Sequence, residues 1–218
     1  RTAMMFAAPP EQSFEWSEAG LEGAARFLKR LWTAVHDHVA RGDVPSLGVA
    51  DLSSAGKALR RKTHETLQKA DDDYGRRQQF NTVVSAVMEL LNTVAKAELA
   101  NDADRGAVQE AWVSAVLIIS PIAPHIAHEL WTVLGMSEPL VGYPWPGIDA
   151  TALEQDSLTL VVQVNGKVRG QVDVAKDADR EAILAMARAD ANVQRHLEGK
   201  TVRKEIVVPN KLVNIVVG

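Results

Sequence analysis

The chain has 218 residues, 46% of them hydrophobic and 24% charged, with a formal net charge of −4. These values describe a folded globular chain with room for one large domain or a medium and a small one, and they exclude a disordered polymer. It has no cysteine, which excludes disulfides, thiolate zinc sites and cysteine nucleophiles in these residues, and no run reaches the ~18 apolar residues a membrane helix needs.

The opening "RTAMMFAAPPEQ" puts prolines directly after its apolar residues, has no secretory layout and lacks an initiator Met, so it reads as the start of a segment cut from a longer chain. From Ser17 to Asp43, Leu21, Ala25, Leu28, Trp32, Val35 and Val39 step by three and four. That spacing predicts a helix with those side chains as its buried stripe, and Gly42 as its stop. At about 100° per residue, Arg26, Lys29, Arg30 and Thr33 fall on the opposite face. Ser53 or Ser54 suits the N-cap of a second helix, "AGKALRRKTHETLQKADDDYG", whose aspartates read as a solvated end. A third helix, "QFNTVVSAVMELLNTVAKAEL", buries Val83, Val84, Val87, Leu90, Leu91 and Val94. The fourth, "RGAVQEAWVSAVLIIS", becomes almost wholly apolar and belongs at the centre of a bundle. For the fifth, Ser120 offers a cap, Pro121 suits the first helical position and Gly135 a stop.

After the Pro-containing stretch "SEPLVGYPWPGIDATALEQD", which reads as a linker or packing loop, the period changes to two. Leu158, Leu160, Val162 and Val164 share one strand face, and Val168, Val172 and Val174 share one on the next strand. Asn165-Gly166 between them signals a two-residue hairpin turn. Strict alternation then puts Lys167 and Arg169 on the open face, away from the valines. One helix or two short ones follow, then two strand-like runs around "PNK". The reading is a mainly α chain: an antiparallel helix bundle over residues 1–150, then a small α+β module of β-β-α-β-β order over residues 151–218. Charge divides with it, since residues 1–156 carry net −7 and residues 157–218 net +3. A basic module on an acidic body points toward an anionic partner.

Motifs for catalysis are absent. His125 and His128 lie three apart beside Glu129, but the order is not that of a zinc hydrolase and no third ligand is evident, so surface histidines are the better account. "ADDDYG" lacks the alternating ligands of a calcium loop, and there is neither a phosphate-binding glycine loop nor a nucleophile elbow. Trp16, Trp32, Trp112 and Trp131 read as packing residues of the bundle. Basic clusters remain, at Arg26/Lys29/Arg30, Arg60/Arg61/Lys62, Arg76/Arg77, and, in the module, Lys167, Arg169, Arg203, Lys204 and Lys211. Singly each is an ordinary solvated face; together they can neutralise phosphates without reading sequence.

"MMFAAPPEQSFEWSEAGLEGAARFLKRLW", "FNTVVSAVMELLN" and "PIAPHIAHELWTVLG" resemble the anticodon-binding bundle of the bacterial leucyl-tRNA synthetases. "VVQVNGKVRGQV" and "GKTVRKEIVVPNKLVNIVVG" resemble their C-terminal module. The resemblance covers nearly all of the chain. The bundle motifs are shared loosely with the valyl and isoleucyl enzymes, whereas the hairpin and the ending are leucyl in character. The resemblance implies a class I enzyme, monomeric and cytoplasmic, that uses ATP and Mg2+ to attach leucine to tRNA. These residues would position the tRNA and carry no catalytic or metal residue. It places Arg26 and Arg30 on the side of the D-arm, with Lys29 a further tRNA-binding candidate, and makes Lys167, Arg169, Arg203, Lys204 and Lys211 candidates at the outer corner of the tRNA. The rival readings are the matching part of a valyl or isoleucyl enzyme, and a non-catalytic protein–protein docking module.

Overall fold

The computed structural model describes residues 1–13, 15–154, 157–175, 178–208 and 211–218, with only the backbone at Ser157, Leu158 and Thr159. The "PN" of the last expected turn lies outside the described residues. The chain folds as two compact units, Arg1–Leu153 and Glu154–Gly218.

The first unit contains α1 (Thr2–Ala7), α2 (Glu18–Val39), α3 (Ser54–Asp72), α4 (Phe80–Lys96), α5 (Asp102–Ile119) and α6 (Pro124–Val133). Helix α5 is the central one: Ala107, Ala111, Ala115 and the run Val116–Ile119 are all buried, and α3, α4 and α6 pack on it. In α4 the expected stripe is observed, with Val83, Val84, Val87, Leu90 and Leu91 buried. Ser53 caps α3 by accepting from Gly56 N–H at 3.1 Å.

Helix α2 is where alternation of apolar residues misleads. Its buried stripe is Ala24, Phe27, Leu31, Val35 and His38, while Leu21, Ala25 and Trp32 are exposed. The helix is rotated by about one residue from the expected setting, and Arg26, Lys29, Arg30 and Thr33 remain exposed. Of the four tryptophans expected in the core, Trp112 and Trp131 are buried, whereas Trp16 and Trp32 are exposed. The fifth long helix also starts later than expected. Ser120 Oγ donates to Leu117 O at 2.8 Å and so finishes α5; Ile122 is buried in the core, and Pro124, not Pro121, takes the first turn of α6. The aspartates at the end of α3 divide, Asp71 exposed and Asp72 half-exposed as a solvated end should be, and Asp73 not. The chain makes a π-turn over Asp73–Arg77, and Asp73 is fully buried, ion-paired with Lys69 and Arg77 and accepting from Thr82 Oγ1.

The stretch beyond α6 is a packing loop. Trp131 Nε1 donates to Glu138 O at 2.8 Å, and the Tyr143 ring meets Trp131 edge-on at 4.8 Å. Further along, buried Arg60 on α3 donates to Asp149 at 2.7 Å and to Glu110 on α5 at 3.1 Å. Asp149 N–H donates to His64 Nδ1 at 3.2 Å. That nitrogen is therefore an acceptor, and it is Nε2–H that faces Glu110, 3.2 Å away. Hydrogen bonds from Thr151, then from Arg60, hold the Asp149 carboxyl well below the usual carboxylate range.

The second unit is a four-stranded sheet covered on one face by two helices. Strands β1 (Ser157–Val164), β2 (Lys167–Ala175), β3 (Val202–Val208) and β4 (Leu212–Val217) lie in the order β2-β1-β4-β3, with β1 and β4 parallel and the outer pairs antiparallel. Helices α7 (Arg180–Ala189) and α8 (Ala191–Leu197) cover the face formed by Leu160, Val162, Val164, Val172, Val174, Val213, Ile215 and Val217. Asn165 and Gly166 both take positive φ, 50° and 77°, as a tight hairpin turn requires.

The hairpin itself departs from strict alternation. Val162 pairs with Gly170 and Gln163 with Val168, so Arg169 is an extra residue in a β-bulge. Beyond the bulge the faces exchange. Val168 leaves the valine face and is exposed, while Lys167, opposite Val164, lies on the helix-covered side at the tip. Next to the bulge, a Cβ on Gly170 would stand 2.8 Å from Asp190 Oδ1 and 3.1 Å from Val193 Cγ2, so α8 sits directly over a residue without a side chain.

Candidate nucleic-acid interface

The bundle's basic clusters separate once their partners are known. Arg60 is consumed by Glu110 and Asp149; Lys62 reaches Glu89 at 2.8 Å, Arg61 reaches Glu65 at 3.7 Å, and Arg76 and Arg77 pair with Asp72 and Asp73. Arg60 is neutralised inside the fold, whereas Arg61, Lys62 and Arg77 are paired at its surface and Arg76 is paired in solvent. Helix α2 differs. Lys29 is exposed, and among the described residues Arg26 pairs with Glu22 at 3.9 Å, both side chains 73% exposed, a pair of negligible worth in water. Arg30 is steadied without being neutralised, donating to Asn92 Oδ1 on α4 at 2.7 Å. Nothing in the local sequence announces Asn92, because it lies 62 residues from Arg30.

Beside this face runs a groove of about 390 Å3, lined by Arg26, Lys29, Arg30 and Asp37 over a floor that includes Leu91, Ala95 and Trp112. Trp112 is buried, as a packing residue should be, but its Nε1–H has no hydrogen-bond partner among the described residues.

In the second unit the five expected cations do not share one face. Lys167 and Arg169 lie at the β2 edge, and Arg203, the extra residue of a second bulge, lies with Lys204 at the β3 edge. Both pairs stand at the hairpin end of the sheet, three strand spacings apart, about 14 Å. Lys211 precedes β4 at the other end, its carbonyl accepting from Val161 N–H at 3.4 Å. The hairpin end is held by Asn165. Its side-chain amide donates to Val217 O at 3.2 Å and accepts from Val217 N–H at 2.9 Å, and its own N–H donates to Ile215 O at 3.0 Å. The side chain thus acts as one more peptide group on the parallel β1–β4 ladder.

Among the described residues no group of three or more His, Cys, Asp or Glu side chains is placed to hold a metal ion, and His125 and His128 are exposed on α6. No helix among them is long and apolar enough to cross a membrane. Exposed cations of this kind can neutralise phosphates without reading sequence.

Residues 56–184 match the family described as the anticodon-binding domain of tRNA ligase. The chain is 56% identical to the leucine–tRNA ligase of Alcanivorax borkumensis over 99% of its length, covering 26% of that protein. It is 56% identical to the leucine–tRNA ligase of Stenotrophomonas maltophilia over its whole length, covering 25% of it. It therefore spans about a quarter of the curated relatives it matches. All of it also superposes, with a TM-score of 0.71 and 24% identity, on 28% of a solved chain from the Agrobacterium radiobacter K84 agnB2 LeuRS–tRNA–LeuAMS ternary complex.

Proposed function

Because the chain belongs to the anticodon-binding domain family of the tRNA ligases, we propose that it is the tRNA-gripping part of a leucine–tRNA ligase, a class I synthetase acting as a cytoplasmic monomer. The observation that carries this reading is the 56% identity that runs through both units to leucine–tRNA ligases. In it, leucine activation with ATP and Mg2+, transfer and editing belong to other segments of the ligase, and these residues orient the tRNA so that its acceptor end reaches them.

The physical means are charge and shape. Arg26, Lys29 and Arg30 neutralise phosphates on one side of the tRNA body, which fixes register without reading bases. At the hairpin end of the sheet, Lys167 with Arg169 and Arg203 with Lys204 offer two cationic points about 14 Å apart, suited to separate phosphates at the outer corner of a folded RNA. Lys211, at the far end of the sheet, contributes less. The acidic remainder of the bundle repels RNA elsewhere, so the few exposed cations decide orientation.

The test is the ligase carrying Arg26→Ala with Arg30→Ala. Affinity for leucine tRNA should fall, and the dependence of log affinity on log salt should flatten by about one to two units, roughly one for each phosphate that is no longer neutralised. Leucine-dependent ATP–pyrophosphate exchange should stay near wild type, because that step needs no tRNA grip. Unchanged affinity and slope would refute the assignment of this face.

A further inference from the structure

The groove beside α2 has features that phosphate binding on an open helix face does not need. A row of surface cations is sufficient to hold a backbone, yet here the cations rim an open concavity of about 390 Å3. The floor contains Leu91, Ala95 and the buried Trp112, whose indole N–H lacks a partner among the described residues. The rim is also polarised. Arg26, Lys29 and Arg30 occupy one stretch of α2, and the carboxylate of Asp37 lies two turns further along, about 10 Å from Arg30 by helix rise. Arg30 is already oriented by Asn92, so less side-chain entropy is lost when it binds.

Building on the reading above, we propose that this groove receives a single nucleotide of the tRNA. Its phosphate lies at Arg26, Lys29 and Arg30, its sugar and base edge on the Leu91–Ala95–Trp112 floor, and a donor of the sugar or base lies at Asp37. An apolar floor suits the carbon faces of ribose and base, the cations suit only the phosphate, and the carboxylate suits a ribose hydroxyl or an exocyclic amine. A carboxylate disfavours a second phosphate at that end, so the groove fixes the direction of the strand as well as its position.

The experiment fills the groove and leaves its charges. Ala95 is exposed on α4, where leucine is nearly as good a helix former, so Ala95→Leu should fold. In the full-length ligase it should weaken leucine-tRNA binding roughly tenfold, the worth of one or two charge-assisted hydrogen bonds, with the salt slope unchanged. If Ala95→Leu binds tRNA as wild type does while Arg26→Ala/Arg30→Ala still weakens binding and flattens the slope, the RNA crosses the rim without entering. The groove proposal is then overturned and the interface stands. If neither variant changes binding, both fail. If adenosine monophosphate alone binds the groove at micromolar concentration, and Ala95→Leu abolishes that binding, the occupant is a free nucleotide and the assignment to tRNA is overturned.

Discussion

Asn165 shows how one side chain can carry two structural duties. Its φ of 50° is strained for most residues and tolerated by Asn and Gly. Its amide makes the two-way bond to Val217, which ties the hairpin turn to β4. The duties separate by substitution. Asn165→Gly keeps the turn and loses the two side-chain bonds, a cost of about 1–2 kcal/mol; Asn165→Ala loses both and should cost about 1 kcal/mol more, since a Cβ strains the left-handed conformation. Denaturant midpoints of wild type and the two variants check the order: equal losses would mean that the turn strain is negligible. Asp73 and Asp104 are the same lesson for charge. In sequence Asp73 belongs to an acidic stretch that reads as solvated, and nothing marks Asp104. In the fold, Asp104 is fully buried and accepts from Ser53 N–H at 3.0 Å, Ser53 Oγ at 2.6 Å and Ala100 N–H at 2.8 Å, which joins the starts of α3 and α5. Asp73 is held by near neighbours, Lys69, Arg77 and Thr82, whereas Ser53 lies 51 residues from Asp104, beyond any window of local sequence.

At the scale of elements, helices were legible where only one face could be buried, and misread where two were available. In α4 the valines and leucines form one stripe, and it is the buried one. In α2 two apolar rows lie about one residue apart, Phe27–Leu31–Val35 and Leu28–Trp32–Val39. The choice between them follows from packing against α1 and α6, which no local periodicity records. The basic face survived this error because Arg26, Lys29 and Arg30 lie far from either row; the groove beside it did not emerge, because Leu91, Ala95 and Trp112 come from α4 and α5. Likewise the alternation in "VQVNGKVRGQV" locates the turn but hides the bulge, beside which α8 rests on Gly170. Gly170→Ala should therefore displace α8: its Cβ would stand 2.8 Å from Asp190, the residue whose carboxylate caps α8 through Asn192 and Val193 N–H. Loss of the cap costs about 1 kcal/mol, and hydrogen exchange should rise first in α8. Unaltered protection there would show that the helix accommodates a methyl group.

For the molecule as a whole, the buried ionisable groups predict how the first unit responds to acid. His38 is buried, its Nε2–H facing Gln109 Oε1 at 2.9 Å. Burial first, with Arg105 and Arg41 nearby and only partly offset by Gln109, lowers its pKa from the ordinary 6.5. The unfolded chain then binds a proton at His38 that the folded chain refuses, so stability from this group is complete above pH 6.5 and declines as pH falls below it. Asp104 acts at lower pH. Burial alone would raise its carboxyl, but the bonds from Ser53 and from the N–H groups of Ala100, Ser53 and Asn101 outweigh it, and the group lies below the ordinary 3.8. Its contribution, like that of Asp149, is present above that value and is lost only as pH falls further. Two declines are expected, one setting in below about pH 6.5 and one below about pH 4. His38→Gln removes the titrating group and can still hydrogen-bond Gln109. Denaturant midpoints at pH 8, 6 and 5 should therefore be flatter for the variant than for wild type, while the decline below pH 4 persists in both. A variant that loses stability between pH 6.5 and 5 as steeply as wild type would place the first decline on another group.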